Sequence, residues 1–295
     1  LQWQHKIFEG MCTQWVNQAS VRKDRLLALE IPLPPLPEQR QIAAILDKAD
    51  SLREKRRQAI AKLDALLKSV FIAMFGDPVT NPKGFRRVTI RDLVSDANYG
   101  TSMKAGEVGE HPILRMNNIT YRGGWDFSDL KYIDLTEKEK EKYLVLKGDI
   151  LFNRTNSKEL VGKTAVYRLP TSMAFAGYLI RVRVNTDNNP EYLAGCLNSS
   201  VGKKILTSTC KSIIGMANIN AQELQNIPIL QPPLGLQNQY ASIVLKVESI
   251  RLKLLTEAQR IEALFNSLQQ RAFSGELFAD RPLVAPLPVE VAQHV

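Results

Sequence analysis

Five short stretches between residues 98 and 220 gather amides, hydroxyls and cations suited to holding nucleic acid. NYGTSMKAG (98–106) offers Tyr99, Thr101, Ser102 and Lys104 beside permissive glycines, a set that can approach phosphate. LRMNNIT (114–120) places Arg115, Asn117 and Asn118 together. LFNRTNSKELVGKT (151–164) carries Asn153, Arg154, Asn156, Lys158 and Lys163 after a strand-like run. LIRVRV (179–184) puts Arg181 and Arg183 on one strand face by alternation. SIIGMANIN (212–220) adds Asn218 in a small polar loop. Arginine can make two hydrogen bonds to guanine, and asparagine two to adenine. The expectation is that these side chains line one surface. The lysines, Thr101 and Ser102 would hold phosphate, and the arginines and asparagines would include base readers. The plainer reading is that Asn and Thr turns bond their own backbone and strand arginines face water. Five such stretches in one basic segment favour the first.

Catalytic signatures are missing from the sequence. There is no Walker loop, GxGxxG, GxSxG or HExxH pattern. NPKG (81–84) lacks the second proline and the aromatic of an amino-methyltransferase motif. Asp149 with Lys158 and Lys163 is a poor match to the clustered carboxylates of a metal-dependent nuclease. TEKEKEK (136–142) alternates in sign, as an exposed helix does. A single-chain nuclease or methyltransferase is therefore disfavoured. Cys12, Cys196 and Cys210 form no close pair, which argues for a reducing, cytoplasmic setting and against a disulfide framework. His5, His111 and His294 are scattered, without metal spacing. No run approaches 18 consecutive apolar residues, so no membrane span is expected. The net charge of +9 points to an acidic partner. Residues 76–235 hold 21 basic against 16 acidic residues, so that segment shares in the excess.

The elements that must position these turns are legible in an internal repeat. Shifted by 198 positions, Ser20–Phe75 lands without a gap on Asn218–Phe273. Pro34, Pro35, Leu36, Gln39 and Arg53 fall on Pro232, Pro233, Leu234, Gln237 and Arg251, among other identities. Each copy is a Pro-Pro-Leu entry followed by a long helix. In the first helix Ile42, Ala49, Arg56, Leu63 and Val70 lie seven apart, with Ile45, Leu52, Ala59, Leu66 and Ala73 as a second row. The second helix repeats this with Tyr240, Val247, Leu254, Ile261 and Leu268, and with Ile243, Ile250, Glu257, Leu264 and Arg271. Two such seams predict an antiparallel coiled coil. With ends matched, facing residues have numbers that add to 313, and Arg56 meets Glu257. That pair either sets the register or stays solvated at a loosely packed centre.

Between the helices the texture changes to glycines, short β-rich runs and turns. RVTIRDLV, HPILRMNNI, KYIDL, DILFNRT, TAVYRL and AFAGYLIRVRV predict strands, and residues 190–209 predict a helix. The fold class is α+β, a domain with a mixed or antiparallel sheet inserted between two long helices. A structural coiled-coil protein whose inserted domain binds another protein is the main alternative on these features.

IPLPPLPEQRQIA, a long helix ending FGDP, then YGTSMKA, LFNRTNSKELVGKT and GMANIN occur in order. Together they resemble the specificity subunit of Type I restriction-modification systems, over nearly all of residues 1–278. The resemblance implies a non-catalytic subunit in which target-recognition domains alternate with helices that act as a ruler. Each domain would read half of a bipartite site in double-stranded DNA. The helices would dock methyltransferase subunits, which use S-adenosylmethionine. A restriction and translocase subunit using ATP and Mg would join that core. The implied layout is a remnant of a first recognition domain at 1–30 and a first helix at 31–75. A complete recognition domain at 76–235, a second helix at 236–278 and a flexible tail at 279–295 would follow. With one complete recognition domain, three states stay open: a half-site reader, a homodimer reading a palindrome, and a truncated product.

Overall fold

The computed structural model describes residues 10–15, 18–29, 33–213 and 216–278. The tail at 279–295 and the start of the Pro-rich entry lie outside the described residues. The first elements are β1 (Thr13–Trp15), β2 (Gln18–Ser20), α1 (Lys23–Leu27) and the 40-residue α2 (Leu36–Phe75). Next come β3 (Arg86–Thr89), α3 (Ile90–Leu93), β4 (Val94–Tyr99), β5 (His111–Leu114), β6 (Lys131–Ile133), α4 (Glu137–Tyr143) and β7 (Leu144–Val145). They are followed by β8 (Ile150–Asn153), β9 (Thr155–Asn156), β10 (Thr164–Val166), β11 (Met173–Phe175) and β12 (Leu179–Val184). The chain continues with α5 (Pro190–Asn198), α6 (Ser200–Thr209), β13 (Lys211–Ile213), β14 (Met216–Asn218), α7 (Ala221–Gln225), β15 (Pro228–Gln231) and the 41-residue α8 (Leu234–Ser274).

The repeat holds at the level of elements and reaches further back than residue identity does. β1, β2, α1 and the start of α2 lie 198 residues before β13, β14, α7 and the start of α8. Thr13 pairs with Ser20 in the first hairpin as Lys211 pairs with Asn218 in the second. Even the entry bond recurs: Gln39 Nε2 donates to Pro34 O at 2.8 Å, and Gln237 Nε2 to Pro232 O at 2.9 Å.

The chain divides into two compact units, Leu1–Ile60 with Leu252–Val295, and Ala61–Arg251. In the first, Arg56 Nη2 lies 2.9 Å from Glu257 Oε2, as the 313 register requires. The pair is 30% and 49% exposed, so it flanks the seam rather than lying buried in it. The expected second row is displaced by one residue. Leu52, Leu66, Ile250 and Leu264 are 46–53% exposed, while Leu46, Arg53, Ile60, Leu67 and Met74 are partly buried. On α8 the covered row is Val244, Arg251, Ala258, Phe265 and Ala272. The physical reason is that the true row contains an arginine in each helix. Arg53 is accommodated by Glu262 (Nε to Oε2, 2.8 Å) and by the face of Phe265, 4.4 Å from its ring centroid.

In the second unit a four-stranded antiparallel sheet, ordered β10-β8-β12-β4, has two buried faces. Alternation sends Ile150, Phe152, Ile180 and Val182 to one core, with Leu193, Leu197 and Leu206 from α5 and α6. Leu151 and Leu179 enter another core with Leu114, Tyr167 and Phe175. Fully burying each such Leu or Ile contributes about 1.5–3 kcal/mol. A second sheet, β6-β5-β11-β7, is mixed, because β11 pairs parallel with β5. Three sequence expectations change in detail. RVTIRDLV breaks into β3, a helical turn and β4, because Asp92 Oδ2 accepts from both the backbone and the hydroxyl of Thr89 at 2.8 Å. AFAGYLIRVRV is two strands parted at Gly177. The 190–209 helix is two, with Ser199 capping the second by accepting from Gly202 N at 3.0 Å. Phe71, Phe75, Tyr192 and Tyr240 form an aromatic cluster that ties the end of α2 and the start of α8 to α5.

Candidate nucleic-acid interface

β4 ends at Tyr99 because Gly100 follows. A Cβ at Gly100 would lie 2.3 Å from Phe175 O, so only glycine lets the chain pass there. Tyr99 is 41% exposed, and its hydroxyl accepts from Ala221 N at 2.9 Å. The Arg154 guanidinium lies over its ring, 4.8 Å from the centroid. Arg154 itself is pinned on both sides of its backbone. Its N–H donates to Tyr178 O at 3.0 Å, and its carbonyl accepts from Ile219 N at 2.9 Å. Arg154 Nη2 donates to Asn218 Oδ1 at 3.2 Å, and Asn218 Nδ2 donates to Thr155 Oγ1 at 3.0 Å. This linkage is built on the antiparallel pairing of β9 with β14, in which Asn218 faces Thr155. Asn156 is half-buried next to it and accepts from Ser157 N at 2.9 Å. The structure thus brings together Tyr99, Arg154, Asn156 and Asn218 from three separate stretches. A half-buried guanidinium on an aromatic face, with Nη1 unbonded among the described residues, can donate to a base edge or a phosphate.

The expectation that all fifteen candidates line one surface is corrected. Thr101, Asn118, Asn153, Lys163 and Arg181 are buried. Arg181 Nη1 donates to Leu144 O at 2.8 Å and Lys142 O at 3.1 Å, and its Nη2 to Asp96 Oδ2 at 3.2 Å. Arg183 makes a two-pronged pair with Asp149, at 2.8 and 3.1 Å. These arginines do share one strand face, but their partners are carboxylates inside the domain. Asp149 is buried and Asp96 partly so, and both require the cations, since an unpaired buried charge is costly. Lys163 Nζ donates to Ile119 O at 2.5 Å and Met116 O at 2.6 Å, and burial lowers its pKa. Asn118 donates to Asp126 O and Asp129 O and accepts from Arg115 N, closing the 115–129 loop. Arg115 holds Asp129 at 2.8 Å in the same loop, and Asn117 reaches that carboxylate at 3.4 Å. Thr101 Oγ1 accepts from Met103 N at 3.1 Å. Ser102, Lys104 and Lys158 are exposed, with no hydrogen bond among the described residues.

Sequence reasoning missed three exposed residues of the inserted domain. Tyr178 is 55% exposed beside Arg154 in sequence-distant pairing, and Met216 on β14 is 51% exposed. Tyr121 is 57% exposed, with Lys203 Nζ 5.9 Å from its ring centroid. The break in the β-run at Gly177 was the available signal for Tyr178. Nothing in the sequence distinguished the other two from core residues.

The profile of the Type I restriction modification DNA specificity domain matches residues 3–62 and 82–264. The chain belongs to this family. It is 26% identical over 274 residues to the EcoKI specificity subunit of Escherichia coli (strain K12), covering 85% of this chain and 58% of that protein. It is also 26% identical over 279 residues to the StySPI specificity subunit of Salmonella potsdam, covering 85% and 58%. It is 25% identical over 202 residues to a putative MjaX specificity subunit of Methanocaldococcus jannaschii, covering 67% and 47%. The chain thus spans about half the length of the curated relatives it matches. Its fold is shared with the S subunit of the Type-I restriction-modification system from M. genitalium, at TM-score 0.57 and 16% identity, over 92% of this chain and 70% of that one. A chain from work on complex assembly and conformational transition of the type I R-M system gives the same TM-score, 0.57, at 19% identity, over 92% and 68%. Among the described residues no helix is long and apolar enough to cross a membrane.

Proposed function

We propose that this specificity-domain protein reads one half of a double-stranded DNA site through residues 76–235 and performs no catalysis itself. The observation that carries the reading is the Arg154 guanidinium, held on Tyr99 and Asn218 with donors left over. An arginine fixed in this way loses little freedom when it pairs with the two acceptors of guanine. Lys104 and Lys158, exposed on separate connecting segments, serve phosphate. The 10–29 segment is the counterpart of the hairpin and short helix at 211–225, which supports its assignment to a first recognition domain. A homodimer would bring two complete domains to one palindromic site.

The helices at 31–75 and 236–278 dock methyltransferase subunits. The exposed Leu52 and Leu66 on α2 recur as Ile250 and Leu264 on α8, so the coil offers the same apolar row twice. Exposed apolar rows of this kind mark protein contacts. S-adenosylmethionine would then sit on the methyltransferase, and ATP with Mg on a restriction and translocase subunit. The test is duplex binding by the complex with its methyltransferase subunit, measured across salt. Affinity should fall steeply with salt and differ between target and scrambled duplex. A shallow slope with no sequence preference would favour a protein-binding role for the inserted domain.

A further inference from the structure

A cavity of about 270 Å³ lies within the second unit, between the end of α2, the start of α6 and the 227–230 segment. Its walls are Phe71, Phe75 and Tyr192 on one side and Ile90, Ile205 and Ile227 on the other. An apolar cavity of roughly 150 Å³ stays dry and binds benzene, so this one accepts a body of about ten heavy atoms. The polar groups nearby are already engaged. Tyr192 Oη donates to Leu230 O at 2.7 Å, and Ser199 Oγ to Cys196 O at 2.7 Å. Burial pushes the Cys196 thiol up to about 12, so it is a neutral wall atom and no nucleophile. Arg87 alone brings a charge to the lining. It is an exposed residue whose Nη2 donates to Val79 O at 2.8 Å, and it makes no ion pair among the described residues. The nearby acid, Asp77, is turned to Val79 N at 2.8 Å.

We propose that this cavity binds a small amphipathic carboxylate, its hydrocarbon body among the rings and isoleucines and its carboxylate on Arg87 at the mouth. A guanidinium without an ion-pair partner beside an apolar pocket favours that class over a neutral match of the same length and disfavours a cation. The site shares no residue with the Tyr99–Arg154–Asn218 cluster, so it stands apart from DNA reading. An occupant would touch both the last turn of α2 and the segment that leads into α8.

The probe is octanoate, with 1-octanol as its uncharged match, titrated calorimetrically into the full chain. Octanoate should bind saturably at one site, and octanol about tenfold more weakly, the size of one charge-assisted hydrogen bond. Arg87→Gln should remove that difference and leave octanol binding unchanged. Val201→Phe, which extends a lining residue into the space, should abolish both without lowering the unfolding midpoint. Absence of saturable octanoate binding to the wild-type chain would overturn the proposal. So would octanoate affinity that survives both substitutions.

Discussion

Arg251 and Asp64 form an ion pair at 2.6 Å, and the same pair occurs again 198 residues away. Arg53, the counterpart of Arg251, holds Glu262, the counterpart of Asp64, at 2.8 Å. The internal repeat is therefore a pseudo-two-fold in chemistry as well as in sequence. The copies differ in their surroundings: Arg53 lies over Phe265, whose counterpart is Leu67, and Asp64 also pairs with Arg122 from the inserted domain.

That difference has a measurable cost. Asp64 and Arg251 are 19% and 15% exposed, against 49% and 33% for Glu262 and Arg53. Asp64→Asn leaves Arg122 without its anion and Arg251 with Glu248 alone, and should destabilise by about 1–3 kcal/mol. Glu262→Gln should cost about 1 kcal/mol or less, as exposed pairs do. Chemical denaturation of the two variants reads the contrast, and equal losses would contradict it.

The Arg56–Glu257 pair sets register rather than stability. A double-mutant cycle on this half-exposed pair should give a coupling of about 0.2–1 kcal/mol. The charge swap Arg56→Glu with Glu257→Arg should recover most of what either reversal loses, in the same denaturation assay. A swap no better than the single reversals would place the two helices in another register.

Much of the scaffold could be read before any coordinates, because the repeat and the heptad spacing are local patterns. The second seam row could not. Leu52 and Leu66 are more apolar than Arg53, yet at 46% exposed they are less covered than Arg53 at 33%, because Glu262 and Phe265 make a place for the charge. The same blindness affected the candidate site. Arg181 and Arg154 are alike in sequence, each in a β-run beside polar residues. Their fates diverge because Asp96 on β4 and Asp149 just before β8 are distant in sequence and meet Arg181 only in the folded domain. Asn153 and Asn156 diverge likewise, one fully buried on β8 and one half-exposed at the β9 edge.

Arg181→Met should therefore be a folding mutation. It leaves the partly exposed Asp96 without its arginine and two carbonyls without that donor, and should cost about 1–3 kcal/mol. Thermal unfolding of the chain without DNA should register the loss. A variant with normal stability and impaired DNA binding would return Arg181 to the list of readers.

Lys203 makes stability depend on pH in a predictable direction. Burial and the neighbouring Lys163 lower its pKa to about 8 from 10.5. Below pH 8 it is protonated in both states, and the burial penalty is fully present. Between pH 8 and 10.5 the unfolded chain binds more protons, so this group's penalty is relieved as pH rises. Relative to Lys203→Met, the wild-type unfolding midpoint should climb from pH 7.5 to 9.5. Parallel curves for the two proteins would show that Lys203 keeps its ordinary affinity for protons.

The central claim is that the Tyr99–Arg154–Asn218 cluster reads bases. Its most direct test is to express the chain with its methyltransferase subunit and map methylated sites genome-wide, comparing wild type with Arg154→Ala. Wild type should methylate one motif. In the variant, discrimination at one position of that motif should relax by about 1–3 kcal/mol, or methylation should be lost, while the protein stays folded. The same motif, methylated to the same extent in a folded Arg154→Ala protein, would contradict it.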